Sequence, residues 1–386
     1  MDSPLLKAKL GVALISLSLL FLPMGNYRAN RVSRGVPLGA LEVLGIAGVA
    51  GTTMLVLFVA LYAFRKNKMN HPFLNIFALI TIFMPGLFIL FLSQAGVTDS
   101  EAAPAAARIS LGIGFWIFLA GVVLIQSTSR RAGAVLILTF VFMIIPPAAG
   151  WTPQLALYKE FLNLQATFYA ELQRHMLLAL SSAFFSIIPG ILLGFWCHRY
   201  ERPREWILGF VNFFQVAPTL TLLGLIMIPL TALSFRFPVL SDLGIRGIGF
   251  APAFIVLFLY CLLPITVNAY AGFDQVDDDI LLSAAAMGMR KGAIFRRVMF
   301  PLALPVIMSG IRTAVTQNLG NTILAGLIGG GGMGALIFLG LSQSASDMVL
   351  LGTIPVVILA VLSDAAFRQV EDRMKRKIGV SHDTAQ

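Results

Sequence analysis

Charge is what this chain has least of. Asp, Glu, Lys and Arg make up 12% of its 386 residues, about half of the roughly 25% usual in a soluble domain. With 58% hydrophobic residues, a water-soluble fold would expose large apolar patches and aggregate. Cysteine is nearly absent: Cys197 and Cys261 lie in or beside apolar stretches, which excludes a disulfide framework and fits no metal spacing. The four histidines, His71, His175, His198 and His382, lack any His-x-x-His or Cys-x-x-Cys partner and read as loop-edge or solvated residues. There is no Gly-x-Ser-x-Gly elbow, and no Ser/His/Asp or paired-carboxylate constellation can be built within the apolar stretches. The chain is therefore not expected to be an enzyme by itself, nor to carry a metal or cofactor of its own.

What it has in place of charge is apolar length. A mean hydropathy of +0.87 and long uncharged runs have one physical cause, lipid as solvent. A crossing needs about 20 apolar residues, and such segments number ten: about 8–24, 38–64, 72–93, 109–127, 132–149, 176–197, 206–233, 248–271, 302–328 and 347–367. The fold class expected is thus all-α, a polytopic membrane helix bundle of about ten transmembrane helices. The first run follows Lys7 and Lys9 as a signal peptide would, but no small-x-small cleavage site comes after it, so it reads as an uncleaved anchor.

The net charge of +10 could point to nucleic acid. The basic residues instead fall in short clusters between apolar spans, the pattern of cytoplasmic loops facing anionic lipid, and no nucleic-acid partner is expected. With both termini inside, 19 of the 28 basic residues are cytoplasmic, among them Arg199, Arg202, Arg204, Arg290, Lys291, Arg296 and Arg297. That agrees with the positive-inside rule and places the chain as a multi-pass protein of a bacterial inner membrane. One loop runs against the rule, because Arg28, Arg31 and Arg34 all fall outside.

The chain divides at a mixed stretch. Residues 1–150 form an N-terminal five-span block with few polar side chains. Residues 151–174 carry Leu155, Tyr158, Leu162 and Leu172 at helical spacing and read as an amphipathic linker along the outer face. Residues 175–370 hold five more spans and nearly all the motifs, and 371–386 form a basic cytoplasmic tail. No internal repeat is evident, so an inverted-repeat secondary transporter gains no support.

Between the eighth and ninth spans lies a cytoplasmic loop, residues 274–300, leading into Pro301 and Pro305. Asp277, Asp278 and Asp279 open an Ala-rich run, as suits a helix N-terminus. Gly288 interrupts it and basic residues follow, which predicts helix, turn and a second helix ending at Pro301. This stretch resembles the EAA loop of ABC importer permeases: Leu282, Ser283, Ala284 and Gly288 fall on Glu, Ala, Ala and Gly of that pattern, and Leu302-Ala303-Leu304-Pro305 on its apolar-x-Leu-Pro ending. Leu282 and Ser283 depart from it.

Five further segments match in the same order: Pro189-Gly190 to Gly194, Phe214-Gln215 to Leu220, Tyr260 to Asn268, Ser309 to Ala314 and Ile328 to Gly334. Over roughly residues 172–366 the chain is similar to permeases of the glycine betaine, choline and carnitine class, and its N-terminal block to their longer, YehY-type members.

The resemblance implies a five-helix ABC importer permease core. It makes the loop a coupling helix docked on a separate cytoplasmic ABC ATPase, where ATP binds, with Asp279, Leu282, Ser283, Ala284, Gly288, Arg290, Lys291, Pro301 and Pro305 as the coupling residues. It also implies a second permease subunit, identical or paralogous, and a periplasmic substrate-binding protein.

Polar groups within spans usually face the bundle interior or a water-filled path. The ninth span holds Arg312, Thr313, Thr316, Gln317, Asn318, Asn321 and Thr322. Thr313, Gln317 and Asn321 are four apart and share a face, a candidate lining for a translocation path together with Gln215, Thr219 and Asn268. Interhelical hydrogen bonding is the equal alternative. Arg312 is a candidate partner for Asp364, with snorkelling toward lipid as the other reading. The glycines at 329–332 follow a span without Gly-Lys-Ser/Thr and read as a tight outer turn, not a phosphate loop. Two other functions remain open from sequence: an ABC permease for another small solute such as an amino acid, and an ion-coupled transporter, for which the spans offer only Asp364 and Glu42 as acids.

Overall fold

A computed structural model describes residues 4–30, 33–45, 48–49, 78–95, 106–129 and 132–378. The chain forms two compact units, Met1–Asn163 and Leu164–Gln386.

In the first unit, α1 (Pro4–Phe21) leads into a small sheet of β1 (Gly25–Arg28), β2 (Val36–Leu38) and β3 (Arg108–Leu111), ordered β2-β1-β3 and antiparallel throughout. Hydropathy alone does not reveal these strands, because each is too short to show a period. Helices with described bounds in this unit include α2 (Met84–Ala95), α3 (Ile113–Gln126), α4 (Ala132–Ala148) and α5 (Ala156–Asn163). Helices α1 and α3 cross with backbones touching: a Cβ on Gly11 would sit 2.7 Å from Gly121 O, and the reverse contact is the same. Small residues at crossings are how helices associate in lipid, where apolar burial offers no gain. Met24, Ile109, Phe115 and Phe118 fill the core beside them.

The expected span 38–64 and the start of 72–93 lie largely outside the described residues. Among the described residues six helices are long and apolar enough to cross a membrane. Helices α3 and α4, with 14 and 17 residues, are shorter than the ~30 Å core requires at 1.5 Å per residue.

The second unit is built on α6 (Gln165–Arg199), a 35-residue helix about 52 Å long. The stretch expected as a linker therefore divides between α5 and the first turns of α6. Next come α7 (Glu201–Val216), α8 (Thr219–Arg236), α9 (Pro238–Asp242) and α10 (Phe250–Asp274). The sequence predicts one span over 206–233, whereas the chain breaks at Ala217 and Pro218, both extended. Pro218 lacks an N–H and disfavours a helical residue before it. Helix α7 is amphipathic as a result, with Trp206 84% exposed.

The loop expected to couple follows as α11 (Asp278–Ala286), α12 (Lys291–Ile294) and one π turn (Phe295–Met299) that runs straight into α13 (Phe300–Asn321). A 3₁₀ stretch (Thr322–Ile328), α14 (Met333–Ser342) and α15 (Ser346–Ile378) complete the unit. Helices α6 and α10 meet at Gly190 and Gly194, where a Cβ on Gly194 would sit 2.5 Å from that of Ala269. The Gly-x-x-x-Gly spacing is thus a close-packing device.

Candidate functional site: a coupling segment joined to the helix core

Asp277 caps α11, its carboxylate accepting from Asp279 N–H at 3.0 Å, and Asp278 and Asp279 favour the positive end of the helix dipole. The helix stops through backbone geometry. Met289 N–H donates to Ala284 O at 3.2 Å and Gly288 N–H to Ala285 O at 2.9 Å, the paired bonds of a Schellman stop. That stop needs a left-handed residue, and Gly288 supplies it with φ of +81° and no atom near a would-be Cβ.

Asp279, Ser283 and Ala284, with Ile280, Met287 and Val298, line a groove of about 340 Å³. Leu282, at the position of the family's Glu, lies outside it and is 65% exposed, and Met287 is 76% exposed. Arg290 and Lys291 are exposed at the start of α12. Exposed apolar side chains on a polar loop mark a contact surface.

Pro301 lies in the first turn of α13 rather than ending a helix, since the π turn carries the chain through it, with Phe300 N–H bonded to Phe295 O. Pro305 is buried within α13. The segment is held to the core by an aromatic cluster that hydropathy does not single out among 30 phenylalanines. The Phe295 ring lies 5.0 Å from Phe195 on α6 and 6.0 Å from Phe273 on α10. Phe195 and Phe273 are themselves 5.5 Å apart. Displacement of α11 and α12 would thus bear on three core helices at once.

Among the described residues no hydrogen bond joins any two of the six path candidates. Thr219 Oγ1 donates to Tyr260 OH at 2.9 Å, and Tyr260 OH donates to Ala217 O at 2.5 Å, pinning the α7–α8 break to α10. Asn268 Nδ2 donates to Pro264 O at 2.8 Å and Thr313 Oγ1 to Ser309 O at 3.0 Å, both within their own helices. Gln215 Oε1 is buried without a partner. Gln317 is exposed and Asn321 half-buried on one face of α13.

The opposite face of α13 makes the helix-to-helix bonds. Asn318, 1% exposed, donates from Nδ2 to Ala179 O at 2.8 Å and Ser182 Oγ at 2.7 Å, and Ser182 donates on to Leu178 O at 2.6 Å. His175 Nε2 lies 3.0 Å from Leu319 O, and since a carbonyl only accepts, that nitrogen carries the proton. His175, read from sequence as a loop-edge or solvated histidine, is instead fully buried, and Ser182 is not marked by sequence because a lone small polar residue in a span has no pattern to belong to. Asn318→Ala is expected to lower stability by about 1–2 kcal/mol, read as a fall in the detergent melting temperature, whereas Gln317→Ala on the exposed face should leave it unchanged.

Midway along α13, Arg312 takes two carboxylates from α15. Its Nη1 is 3.8 Å from Asp364 Oδ1 and its Nε 3.2 Å from Glu371 Oε1, while Arg368 Nε donates to Asp364 at 2.8 Å. Asp364 is the expected partner; Glu371, 5% exposed, is one that sequence reasoning misses, because α15 continues beyond the apolar run. Beyond the 3₁₀ stretch that follows α13, the glycine turn is tied to α6, with Gly332 N–H donating to Glu171 Oε2 at 2.6 Å.

Comparison with known proteins places both units. Residues 186–376 match the family model of the binding-protein-dependent transport system inner membrane component. Residues 6–157 match that of the ABC transporter permease YehY N-terminal domain. The glycine betaine/carnitine/choline transport system permease protein OpuCB of Bacillus subtilis is 34% identical over 203 residues, 53% of this chain and 86% of that protein. The osmoprotectant import permease protein OsmW of Salmonella typhimurium is 35% identical over 191 residues, 50% and 84% respectively. The MetNI methionine ABC transporter, in an inward-facing conformation, aligns with 55% of this chain and 98% of its own at 20% identity and a TM-score of 0.47. A bundle of membrane-length helices, with relatives at this identity over most of their length, leads to one conclusion: the chain belongs to the binding-protein-dependent transport system inner membrane component family, a permease subunit with a YehY-type N-terminal domain.

Proposed function

We propose that this permease imports a small quaternary-ammonium osmoprotectant, of the kind named for its relatives, across a bacterial inner membrane at the expense of ATP. The observation that carries the coupling part of this reading is the physical continuity of the segment 277–299. A capped helix with exposed Ile280, Leu282 and Met287 leads through one glycine stop and one π turn into α13, with Phe295 set against α6 and α10. A cytoplasmic ATPase that engages the exposed face would push on α11 and α12, and the aromatic cluster would transmit the push to the core helices.

Alternating access then requires a second permease subunit to complete the pore and an external binding protein to deliver solute. A partner chain supplies ATP binding. Gln317 and Asn321, on the face of α13 turned away from α6, are the two path candidates best placed to meet a solute. Asp279, Ser283 and Ala284 belong to the docking face, and Gly288 sets its angle. Leu282 replaces the polar contact of the family with an apolar one, so docking here relies more on apolar burial.

The test is uptake of radiolabelled glycine betaine into osmolyte-starved cells that carry the chain with its ATPase and binding protein. Saturable uptake that choline or carnitine inhibits, and that vanishes on ATP depletion, is expected. Uptake that persists without ATP and follows an ion gradient would overturn the coupling. ATP-dependent uptake of an amino acid, with glycine betaine neither taken up nor competing, would overturn the solute class.

A further inference from the structure

Between α7 and α8 the second unit leaves part of its backbone without partners. Ala217 and Pro218 are extended there. In a continuous helix the carbonyl of Phe214 would accept from residue 218, but that residue is a proline and has no N–H. The carbonyls of Gln215 and Val216 would pair with the N–H groups of Thr219 and Leu220, and the extended pair prevents it. Among the described residues no hydrogen bond reaches any of these three carbonyls, and α8 starts without a side-chain cap. The next carbonyl along, Ala217 O, is served by Tyr260 OH.

Tyr260 gives the depth of this break. It stands ten residues after Phe250 and fourteen before Asp274, so the break lies about 15 Å from one end of α10 and about 21 Å from the other. That is near the middle of a hydrocarbon core of about 30 Å. The break also faces out of the chain, with Val216 74% and Leu220 55% exposed and Pro218 exposed between them. Irregular backbone at such depth is tolerated inside protein or beside water, never against lipid tails. An apolar helix laid over it would leave the carbonyls as unsatisfied as lipid does, whereas water or a cation satisfies them.

We infer that the α7–α8 break lines the water-filled path of the permease, and that its three free carbonyls receive the cationic group of the solute. The inference rests on the import reading given under the proposed function. The end of α7 offers acceptors, the carbonyls of Phe214, Gln215 and Val216, together with the partial negative charge of a helix C-terminus. Gln215 Oε1 is a further acceptor without a donor. Unwound carbonyls and half-helix C-terminal ends hold cations in transporters built on broken helices. A quaternary ammonium is held there by charge, since it has no N–H to donate.

The experiment uses the full chain assembled with its ATPase and binding protein, in open membrane fragments that a charged reagent reaches from both sides. Val216→Cys is compared with Ile188→Cys, an exposed position within the continuous helix α6. The reagent is a methanethiosulfonate carrying a trimethylammonium group, which joins a thiolate as a disulfide and releases methanesulfinate. A thiol in hydrocarbon stays protonated and unreactive, and the native Cys197 and Cys261 are buried. Val216→Cys should react at least about tenfold faster than Ile188→Cys, and choline or glycine betaine should slow it about threefold. If Val216→Cys does not assemble, Leu220→Cys takes its place. Equal rates at the two positions would overturn the path. So would labelling of the isolated chain that vanishes in the assembly, which would set the break against the second permease subunit. Sodium or potassium protecting as well as choline would overturn the solute in favour of an inorganic cation. Uptake of glycine betaine by the wild type, measured alongside, separates the two readings. Uptake with labelling that neither solute slows overturns the carbonyl site alone, whereas protection by an amino acid without betaine uptake overturns the solute class.

Discussion

Replacing Gly288 with proline is expected to abolish ATP-driven uptake, to below about one-hundredth of the wild-type rate, while the protein still inserts in the membrane. The turn depends on a φ of +81° and on the Gly288 N–H that bonds Ala285 O at 2.9 Å. Proline fixes φ near −65° and has no N–H, so both bonds of the stop fail and α12 leaves α11 at a different angle. The docking face and the aromatic cluster then no longer form one rigid path. Gly288→Ala is the graded control. No atom lies within 4 Å of its Cβ, so the cost is backbone strain alone, about 1–2 kcal/mol, and uptake should fall only a few-fold. Immunoblots of membranes, uptake by intact cells and ATP hydrolysis by the purified assembly separate loss of coupling from loss of protein. Wild-type uptake by Gly288→Pro would remove the coupling role of this segment.

The second large effect is expected at Arg312. Arg312→Met should destabilise the permease by about 2–3 kcal/mol, because removing the cation from a partly buried ion group leaves the buried Glu371 uncompensated. Asp364 keeps Arg368 at 2.8 Å, but Glu371, with its side chain 7% exposed, retains no cation among these ion pairs. Adding Glu371→Leu to Arg312→Met should therefore restore most of the loss, since well-packed apolar residues often replace a buried pair without penalty. Melting temperatures of the two single variants and the double variant in detergent complete the cycle. Additive losses would show that Arg312 and Glu371 do not interact, and that the 3.2 Å approach contributes nothing to holding α13 against α15.

Both predictions rest on residues that differ in how far sequence reveals them. Gly288 is visible in the sequence, because a glycine after an Ala-rich run and before basic residues has few structural meanings. Asp364 is visible as one of the few acids near a span. Glu371 is not, because nothing in a linear pattern shows that α15 continues as a helix through Ile378 and turns this carboxylate toward Arg312. The π turn at Phe295–Met299 is equally hidden: two prolines after a loop read as a helix boundary, and only the packing of Phe295 between Phe195 and Phe273 explains why the helix is carried through them.

What the sequence by itself determined is the medium and the class. Lack of charge, together with apolar runs near the length of a bilayer, requires helices in lipid, since no other element satisfies its backbone there. The loop at 274–300 carries its own helix stop in Gly288, a local property of the backbone. The tertiary structure alone decided which polar side chains turn inward. Thr313, Gln317 and Asn321 share a face by spacing, but spacing cannot say that Asn318, one position further round, is the residue that clamps α13 to α6 through Ala179 and Ser182. It also decided that Arg28, one of the basic residues that run against the charge rule, ends a strand opposite Arg108. Helical and hydropathic periods record what each segment does alone, whereas contacts between residues more than a hundred positions apart depend on where every helix is packed.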